Sequence, residues 1–312
     1  MHGKENVLIT GGLGNLGSWI SRYLANKGYT VYILSRHATY QIDGIRYVLI
    51  EADITSLESL ENALDFEVNY CIHAASFNEF FLDGYPKKAL DVNVLGTRNL
   101  LEVLSKKNLK HFIYFSTFHV YGVSSGNITE KSSLKPKNDY ASTHLFAEYY
   151  IQQFSFTHDI NYSILRLTNS YGCPVNINSD KWYLVLNDLV KSAYENKEIL
   201  LNSNGEASRD FIHMNDVASI VEKLLQINPM NEIFNLSSMK SIKIIEIARM
   251  VQKVYKKRYN LDINIFINDK DKYHYDSLIV DNSKLQNKIP YDISDKFIDE
   301  INAIFTLLEE RK

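Results

Sequence analysis

Val7-Leu8-Ile9-Thr10-Gly11-Gly12-Leu13-Gly14-Asn15-Leu16-Gly17 is the stretch whose reading decides the fold. A short aliphatic run leads into glycines at 11, 14 and 17, and the apolar spacing beyond them is helical to near Lys27-Gly28. Strand, Gly-rich turn and helix in that order open a dinucleotide-binding βαβ unit. Gly11 takes the tight turn, Gly14 lets the backbone approach a pyrophosphate, and Gly17 lets helix pack closely on strand. Asn15, Leu16 and Gly17 then begin a helix whose N-terminus offers amide donors and a positive dipole to the phosphates.

Outward from that turn, β-branched runs alternate with helical patterns, the signal for parallel βαβ units. Strands are expected at Val31-Tyr32-Ile33-Leu34, Tyr47-Val48-Leu49-Ile50, Tyr70-Cys71-Ile72-His73, Phe112-Ile113-Tyr114-Phe115 and Tyr162-Ser163-Ile164-Leu165. A helical pattern carries Leu90, Val94, Leu101 and Leu104 between Pro86 and about Lys107, and another runs from Asp139 to about Phe156. The expected fold is α/β, a doubly wound parallel (Rossmann) sheet over residues 1–167. Beyond Arg166 the pattern is irregular, with a loop at Asn176-Ile177-Asn178-Ser179-Asp180 and helices near Leu186–Tyr194 and Ser241–Lys257. No linker intervenes, so residues 168–312 are expected to form mainly a second, smaller α/β substrate-binding domain. Segments near 208–236 are expected to return to the first domain, and the cleft between the two is the expected active site.

The second strand closes with Leu34-Ser35-Arg36-His37. A carboxylate at this place holds the adenosine ribose hydroxyls of NAD(H), whereas an Arg accommodates the 2′-phosphate of NADP(H). With no carboxylate here, Arg36 favours NADP(H); in the other reading Arg36 lies over the adenine and NAD(H) is held through backbone and Ser35.

Composition bounds the alternatives. Of 312 residues, 45% are hydrophobic and 23% charged, with 13 Gly and 5 Pro, which is the profile of an ordinary globular chain. A net charge of −3 gives no basic footprint for a nucleic-acid binder. The two cysteines, Cys71 and Cys173, make no disulfide framework and no metal-ligand pattern, which suits a reducing cytoplasm. No apolar signal core follows Met1-His2-Gly3-Lys4-Glu5-Asn6 and no 18 apolar residues run together, so a cytoplasmic protein without metal, nucleic-acid or membrane partner is expected.

Further motifs follow the turn in order: Asp53-Ile54, His73-Ala74-Ala75-Ser76, Asp91-Val92-Asn93-Val94-Leu95-Gly96-Thr97, Phe115-Ser116-Thr117-Phe118-His119-Val120-Tyr121-Gly122, and Tyr140-Ala141-Ser142-Thr143-His144. Arg166 to Pro174 with Asn169, Arg209-Asp210-Phe211-Ile212-His213 through Asp216-Val217, and Asp281-Asn282-Ser283-Lys284-Leu285 complete the series. Together they resemble the extended short-chain dehydrogenase/reductase family, whose members modify nucleoside-diphosphate sugars, over nearly the whole length. The resemblance implies that Asp53 and Ile54 contact adenine and that Ala74, Ala75 and Ser76 line the cofactor. Asn93 looks like the family's structural Asn and is grouped with the cofactor-binding residues. Thr117 falls where the family has its catalytic Ser or Thr and Tyr140 where it has its catalytic Tyr. Asn169 and Arg209 are expected to hold the substrate diphosphate.

Three departures bear on chemistry. The family signature is Tyr-x-x-x-Lys, but here His144 follows Tyr140 at i+4, on the same helix face. It is expected to grip the nicotinamide ribose, while activating Tyr140 less because it is mostly neutral at pH 7; the other reading is a core or surface histidine in a binding-only relative. The 4,6-dehydratase members place Asp-Glu after the catalytic Thr, whereas Phe118-His119 stands here, so the acid/base pair for eliminating water is missing. His119 lies where epimerising reductases put an acid/base Cys and is either a proton-transfer group or a pocket-lining histidine. The Arg that often precedes the C-terminal Asp segment is absent, with Lys270 or Lys272 nearby instead.

The function implied is NAD(P)-dependent hydride transfer at C4 of a nucleoside-diphosphate sugar, a GDP- or UDP-linked hexose or heptose, in surface-polysaccharide sugar biosynthesis. The alternatives are a nucleotide-sugar 4-epimerase and a non-catalytic dinucleotide-binding protein. The helices from Pro86 and from Asp139 are the pair the family uses to dimerise, so a homodimer or higher homo-oligomer is implied.

Overall fold

The computed structural model describes residues 5–37, 41–77, 84–178, 181–268, 270–273 and 276–310. From the N-terminal side come β1 (Asn6–Thr10), α1 (Asn15–Asn26), β2 (Thr30–Ser35), β3 (Val48–Glu51), α2 (Leu57–Ala63) and β4 (Tyr70–His73). A helical run follows as α3 (Pro86–Ala89), a π-helical turn at Leu90–Leu95 and α4 (Gly96–Leu104), then β5 (His111–Thr117). After a 3₁₀ turn at Phe118–Tyr121 come β6 (Gly126–Ile128), α5 (Asp139–His158), β7 (Tyr162–Leu167), β8 (Asn169–Tyr171), α6 (Val185–Asn196), β9 (Glu198–Leu200), β10 (Ser208–His213), α7 (Met214–Leu225) and β11 (Glu232–Leu236). The chain ends through β12 (Ser241–Lys243), α8 (Ile244–Tyr259), β13 (Asn264–Phe266), β14 (Leu278–Val280), α9 (Ser283–Gln286) and α10 (Phe297–Glu309).

Seven strands make one parallel sheet in the order β11-β7-β5-β4-β1-β2-β3. Its strands are apolar because both faces are covered, and every residue of β5 is buried. Side chains alternate across the sheet: Val7 and Ile9 join a core with α1 and α7, while Leu8 joins the opposite core with α4 and α5. The doubly wound Rossmann layer expected from the alternating pattern is the observed one.

The second unit packs α6, α8 and α10 around Leu189, Val190, Val251, Ile301 and Phe305. Beside them lies a small sheet, β12-β10-β8, and β13 pairs with β9. Within the returning stretch, α7 packs on α1 and β11 is the edge strand beside β7, whereas Ser208–His213 belongs to the small sheet. Leu285, Ile289 and Tyr291, far along the chain, also join the first core. Ser241–Lys243 is a strand, and the helix expected from Ser241 starts at Ile244. Of the expected loop at 176–180, Ser179 and Asp180 lie outside the described residues. Leu90, placed on the apolar stripe of its helix, is 42% exposed, because a π turn occupies Leu90–Leu95 and changes the phase there.

Trp19 of α1 ties the first unit to the second by donating to the Cys173 carbonyl at 3.1 Å, and within the second Glu300 of α10 accepts the Cys173 N–H at 2.6 Å and pairs with His213 Nε2 at 2.9 Å.

Strand order reverses between β1 and β4, and in such sheets the ligand crevice opens at the carboxyl ends of the strands at this switch point. There Thr10 Oγ1 and His73 Nδ1 are 2.5 Å apart, and His73 Nε2 is 2.9 Å from Thr97 Oγ1. Thr97 donates its proton to the Asn93 carbonyl at 2.6 Å, so His73 Nε2–H donates to Thr97 and Nδ1 accepts from Thr10. Burial pushes the His73 pKa down to about 3, which keeps it in this neutral form.

Candidate active site

A cleft of about 790 Å³ opens over the switch point between the two units. At its floor Gly11 has φ +69°, and a Cβ on it would stand 2.7 Å from the Ala75 nitrogen. A Cβ on Gly17 would lie 2.0 Å from the Gly11 carbonyl oxygen, to which the Gly14 N–H donates at 2.8 Å. Gly14 is the N-cap of α1 and no side chain caps the helix. Its first-turn amides, at Asn15, Leu16 and Gly17, therefore face a cleft that these residues line. The bare, side-chain-free cradle fits a pyrophosphate, so the residues present suit a dinucleotide.

Leu34, Ser35, Arg36, Ala52, Asp53 and Ile54 line one end, and Ala74, Ala75 and Ser76 the middle. Asp53 Oδ1 accepts from the Thr55 N–H at 2.9 Å and the Thr55 hydroxyl at 2.8 Å. Asn93 does not line the cleft, which corrects its grouping with the cofactor-binding residues. It is 1% exposed; its Oδ1 accepts from Phe77 N–H at 2.6 Å and its amide donates to Thr143 Oγ1 at 2.9 Å. It thereby ties the segment after β4 to α5, a positioning role.

Thr117, His119, Tyr140 and His144 come together at the centre: Thr117 from the end of β5, His119 from the 3₁₀ turn that follows it, and Tyr140 and His144 from the first turns of α5. Asn138 caps α5 by accepting from Ala141 N–H at 2.8 Å, so the helix starts one residue before Tyr140. Thr117 Oγ1 accepts from His119 N–H at 3.2 Å, leaving its own proton to donate into the cleft. The Tyr140 ring lies 4.3 Å from that of His144 and 6.0 Å, edge-on, from that of His119. His144 Nδ1 is 2.7 Å from the Tyr140 carbonyl, which can only accept, so Nδ1 carries the proton and Nε2 is a lone-pair acceptor. Burial pushes its pKa to about 4, so at neutral pH it brings no charge. Burial, then Arg209 nearby, also lowers the His119 pKa.

Behind this group lies a buried network for which Tyr-x-x-x-His offered no sequence signal beyond one further i+4 step. Glu148 accepts from Arg166 through Nε at 3.0 Å and Nη2 at 2.6 Å, and also from the Ser116 hydroxyl. Arg166 Nη1 donates to Tyr121 Oη at 3.1 Å, and Tyr121 donates to Asn235 at 2.6 Å. Arg166, which opens the motif read as a substrate element, is thus committed to Glu148 and stays out of the cleft.

The far end holds Asn169, Arg209, Lys181, Tyr183, Asn187 and Phe211. Asn169 donates one amide proton to the Asp210 carbonyl at 2.9 Å, which aims the side chain. Asp210 itself is buried and accepts from Thr168 and Ser238; burial raises its pKa against those bonds. Sequence reasoning missed Lys181 and Tyr183, which flank Trp182. The indole packs against the second core and donates to the Ile177 carbonyl at 3.1 Å. Lys270 and Lys272 do not line the cleft. Among the described cleft residues Arg36, Lys181 and Arg209 are cationic and only Asp53 is a carboxylate, so the cleft is positive in a chain of net charge −3. No group of three or more His, Cys, Asp or Glu side chains among the described residues is arranged to hold a metal ion.

A Rossmann sheet whose glycine cradle opens onto a Thr and a helical Tyr defines a dinucleotide-dependent oxidoreductase of the extended short-chain type. The chain belongs to the NAD dependent epimerase/dehydratase family, whose model matches residues 7–237. It is 27% identical over 277 residues to a dTDP-D-glucose 4,6-dehydratase of Dictyostelium discoideum, covering 79% of this chain and 61% of that one. It is 25% identical over 297 residues to a dTDP-L-rhamnose 4-epimerase of Burkholderia thailandensis, covering 80% and 81%. Its fold is similar to the solved UDP-N-acetylglucosamine 4-epimerase of Methanobrevibacter ruminantium, with TM-score 0.85 and 22% identity over 99% of this chain and 100% of that one.

Proposed function

We propose that this enzyme carries out hydride transfer at C4 of a sugar linked to a nucleoside diphosphate, GDP or UDP, in building surface-polysaccharide sugars. One observation carries the reading: a single cleft joins the glycine cradle, the Thr117–Tyr140 pair and a second cationic end at Arg209 and Lys181. Two anion-binding sites, the glycine cradle and the Arg209–Lys181 end, flank one proton-transfer centre. When bound, the nicotinamide supplies the hydride acceptor or donor. Tyr140 takes the proton of the sugar hydroxyl in oxidation and returns it in reduction, while Thr117 donates to the same oxygen and polarises it. His144 accepts a hydrogen bond from a ribose hydroxyl through Nε2. Asn169 and Arg209 hold the substrate diphosphate, Arg209 as a charge-assisted donor.

A 4-epimerase is the second reading, favoured by the printed activities of the similar Burkholderia and Methanobrevibacter proteins. Elimination of water is disfavoured, because the two positions after Thr117 hold Phe118 and His119 in place of an acidic pair.

We also propose a homodimer. Helix α5 carries apolar side chains on both faces: Ala147 and Ile151 are buried, yet Phe146 is 45% and Tyr149 54% exposed, and the π turn it packs on exposes Leu90 and Leu95. A helix apolar on both faces calls for a second cover. The unpaired thiols of Cys71 and Cys173 fit the reducing cytoplasm.

The test offers UDP-, GDP- and dTDP-sugars to the purified protein while nicotinamide absorbance at about 340 nm and sugar products are followed. A spectral change with a 4-keto or C4-inverted product is expected. No change and no product across the panel would leave only the binding-protein reading.

A further inference from the structure

Resting on the proton-transfer reading above, we infer that Arg166 is a positioning residue, which holds Thr117 and Tyr140 in reacting geometry through Glu148, Ser116 and Tyr121. The side chains at the centre of the cleft come from three carriers, β5, the 3₁₀ turn after it and α5, and each carrier is tied to this one guanidinium. For α5 the tie is Glu148, which follows Tyr140 and His144 at successive i+4 steps and so shares their stripe of the helix. It takes a fork from Arg166, Nε at 3.0 Å and Nη2 at 2.6 Å. For β5 the tie is Ser116, the residue before Thr117. It is in register with Arg166 of β7, and its hydroxyl donates to the same Glu148 oxygen that Nε meets. For the 3₁₀ turn the tie is Tyr121, whose Oη accepts from Nη1 at 3.1 Å and whose ring centre lies 5.0 Å from the guanidinium carbon. Tyr121 donates in turn to Asn235 at 2.6 Å, and Asn235 of β11 is in register with Arg166 from the other side.

Glu148, Arg166 and Tyr121 do not line the cleft, so they act on the reacting groups only through the elements that carry them. A buried ion pair stabilises a fold little more than apolar packing of the same volume, because desolvation offsets the attraction. What it adds here is direction. Ala147 and Ile151 bury α5 against its core through contacts that have no preferred angle and leave a helix free to roll or slide. A planar fork on a carboxylate has a fixed geometry. A misplacement of about 1 Å at reacting groups costs on the order of a hundredfold in rate, so the fork matters to catalysis beyond its share in stability.

The test deletes one hydroxyl at a time and leaves the ion pair whole. Ser116→Ala unties β5 and Tyr121→Phe unties the turn; kcat, KM, dinucleotide affinity and thermal melting are measured for each on the sugar nucleotide that the wild type turns over. Each variant is expected to melt cooperatively, to keep KM and dinucleotide affinity within about threefold of wild type, and to lose about tenfold to a hundredfold in kcat. Ser116→Thr, which keeps the hydroxyl, should restore most of the rate. In a Tyr140→Phe background Ser116→Ala should cost much less than it does alone, because it acts through the same pair. Each variant decides alone, so one that does not fold leaves the other to report. A kcat within about twofold of wild type in either folded variant overturns the inference. So does a loss carried by KM or by dinucleotide affinity, or one that persists in full without the Tyr140 hydroxyl, each the mark of a general loosening. No turnover by the wild type on any sugar nucleotide would overturn the proton-transfer reading and the inference with it.

Discussion

At the residue scale the chain's individuality lies in His144. The Tyr-x-x-x-His spacing alone shows that it shares a helix face with Tyr140, but its tautomer depends on a contact with a main-chain carbonyl that only the folded helix creates. The outcome is a neutral acceptor where the signature residue of the resembling family is a cation. His144→Lys should therefore favour the tyrosinate of Tyr140 and move the rising limb of the oxidation pH–rate profile to lower pH. An unchanged profile in a folded, dinucleotide-binding variant would show that the charge at position 144 does not govern Tyr140. Asn93 shows the opposite limit. Its motif was legible, but its role as a strut between Phe77 and Thr143 follows from three segments meeting in space.

At the element scale, α5, β5 and β7 are locked together through Glu148, Ser116 and Arg166, directly behind the reacting centre. Both charges of the pair are at most 3% exposed. Removing one partner leaves the other buried and uncompensated, so Glu148→Gln should cost roughly 3–5 kcal/mol in urea unfolding. A cost below about 1 kcal/mol would mean that the pair is solvated in solution. Strands and helices of the first layer were legible because their periodicities are strong; the pairing of residue 148 with residue 166 was not, because it crosses from helix to sheet. The glycine turn was legible for the reason that it is fragile. Gly17→Ala would drive a Cβ into the Gly11 carbonyl, so dinucleotide affinity should fall with stability, as calorimetry and thermal melting would register together.

At the scale of the whole molecule, three buried histidines make the fold acid-sensitive. Burial lowers His73 to about 3 and His111 and His144 to about 4, from an ordinary 6.5. Below pH 6.5 the unfolded chain binds protons that the folded chain refuses, so stability is fully present above that pH and drains away as pH falls toward 4. Each group costs about 1.4 kcal/mol per pH unit in that window. Melting temperature should drop steeply between pH 6.5 and 4.5; a flat profile would show that these imidazoles reach solvent. Charge placement is also a whole-molecule property. Composition gave a net charge of −3 and no hint of where cations gather, whereas folding brings Arg36, Lys181 and Arg209 to one cleft. Lys181 escaped the sequence reading because its neighbourhood follows no periodic pattern.

The central claim is that one cleft couples a bound dinucleotide to proton transfer by Tyr140 at a sugar carbon. Its most direct test compares wild type and Tyr140→Phe in the same nicotinamide absorbance assay on the sugar nucleotide that turns over, with dinucleotide binding measured alongside. The expected rate for Tyr140→Phe is lower by a factor of about 10²–10⁴ with dinucleotide affinity unchanged. Full activity in Tyr140→Phe would contradict it.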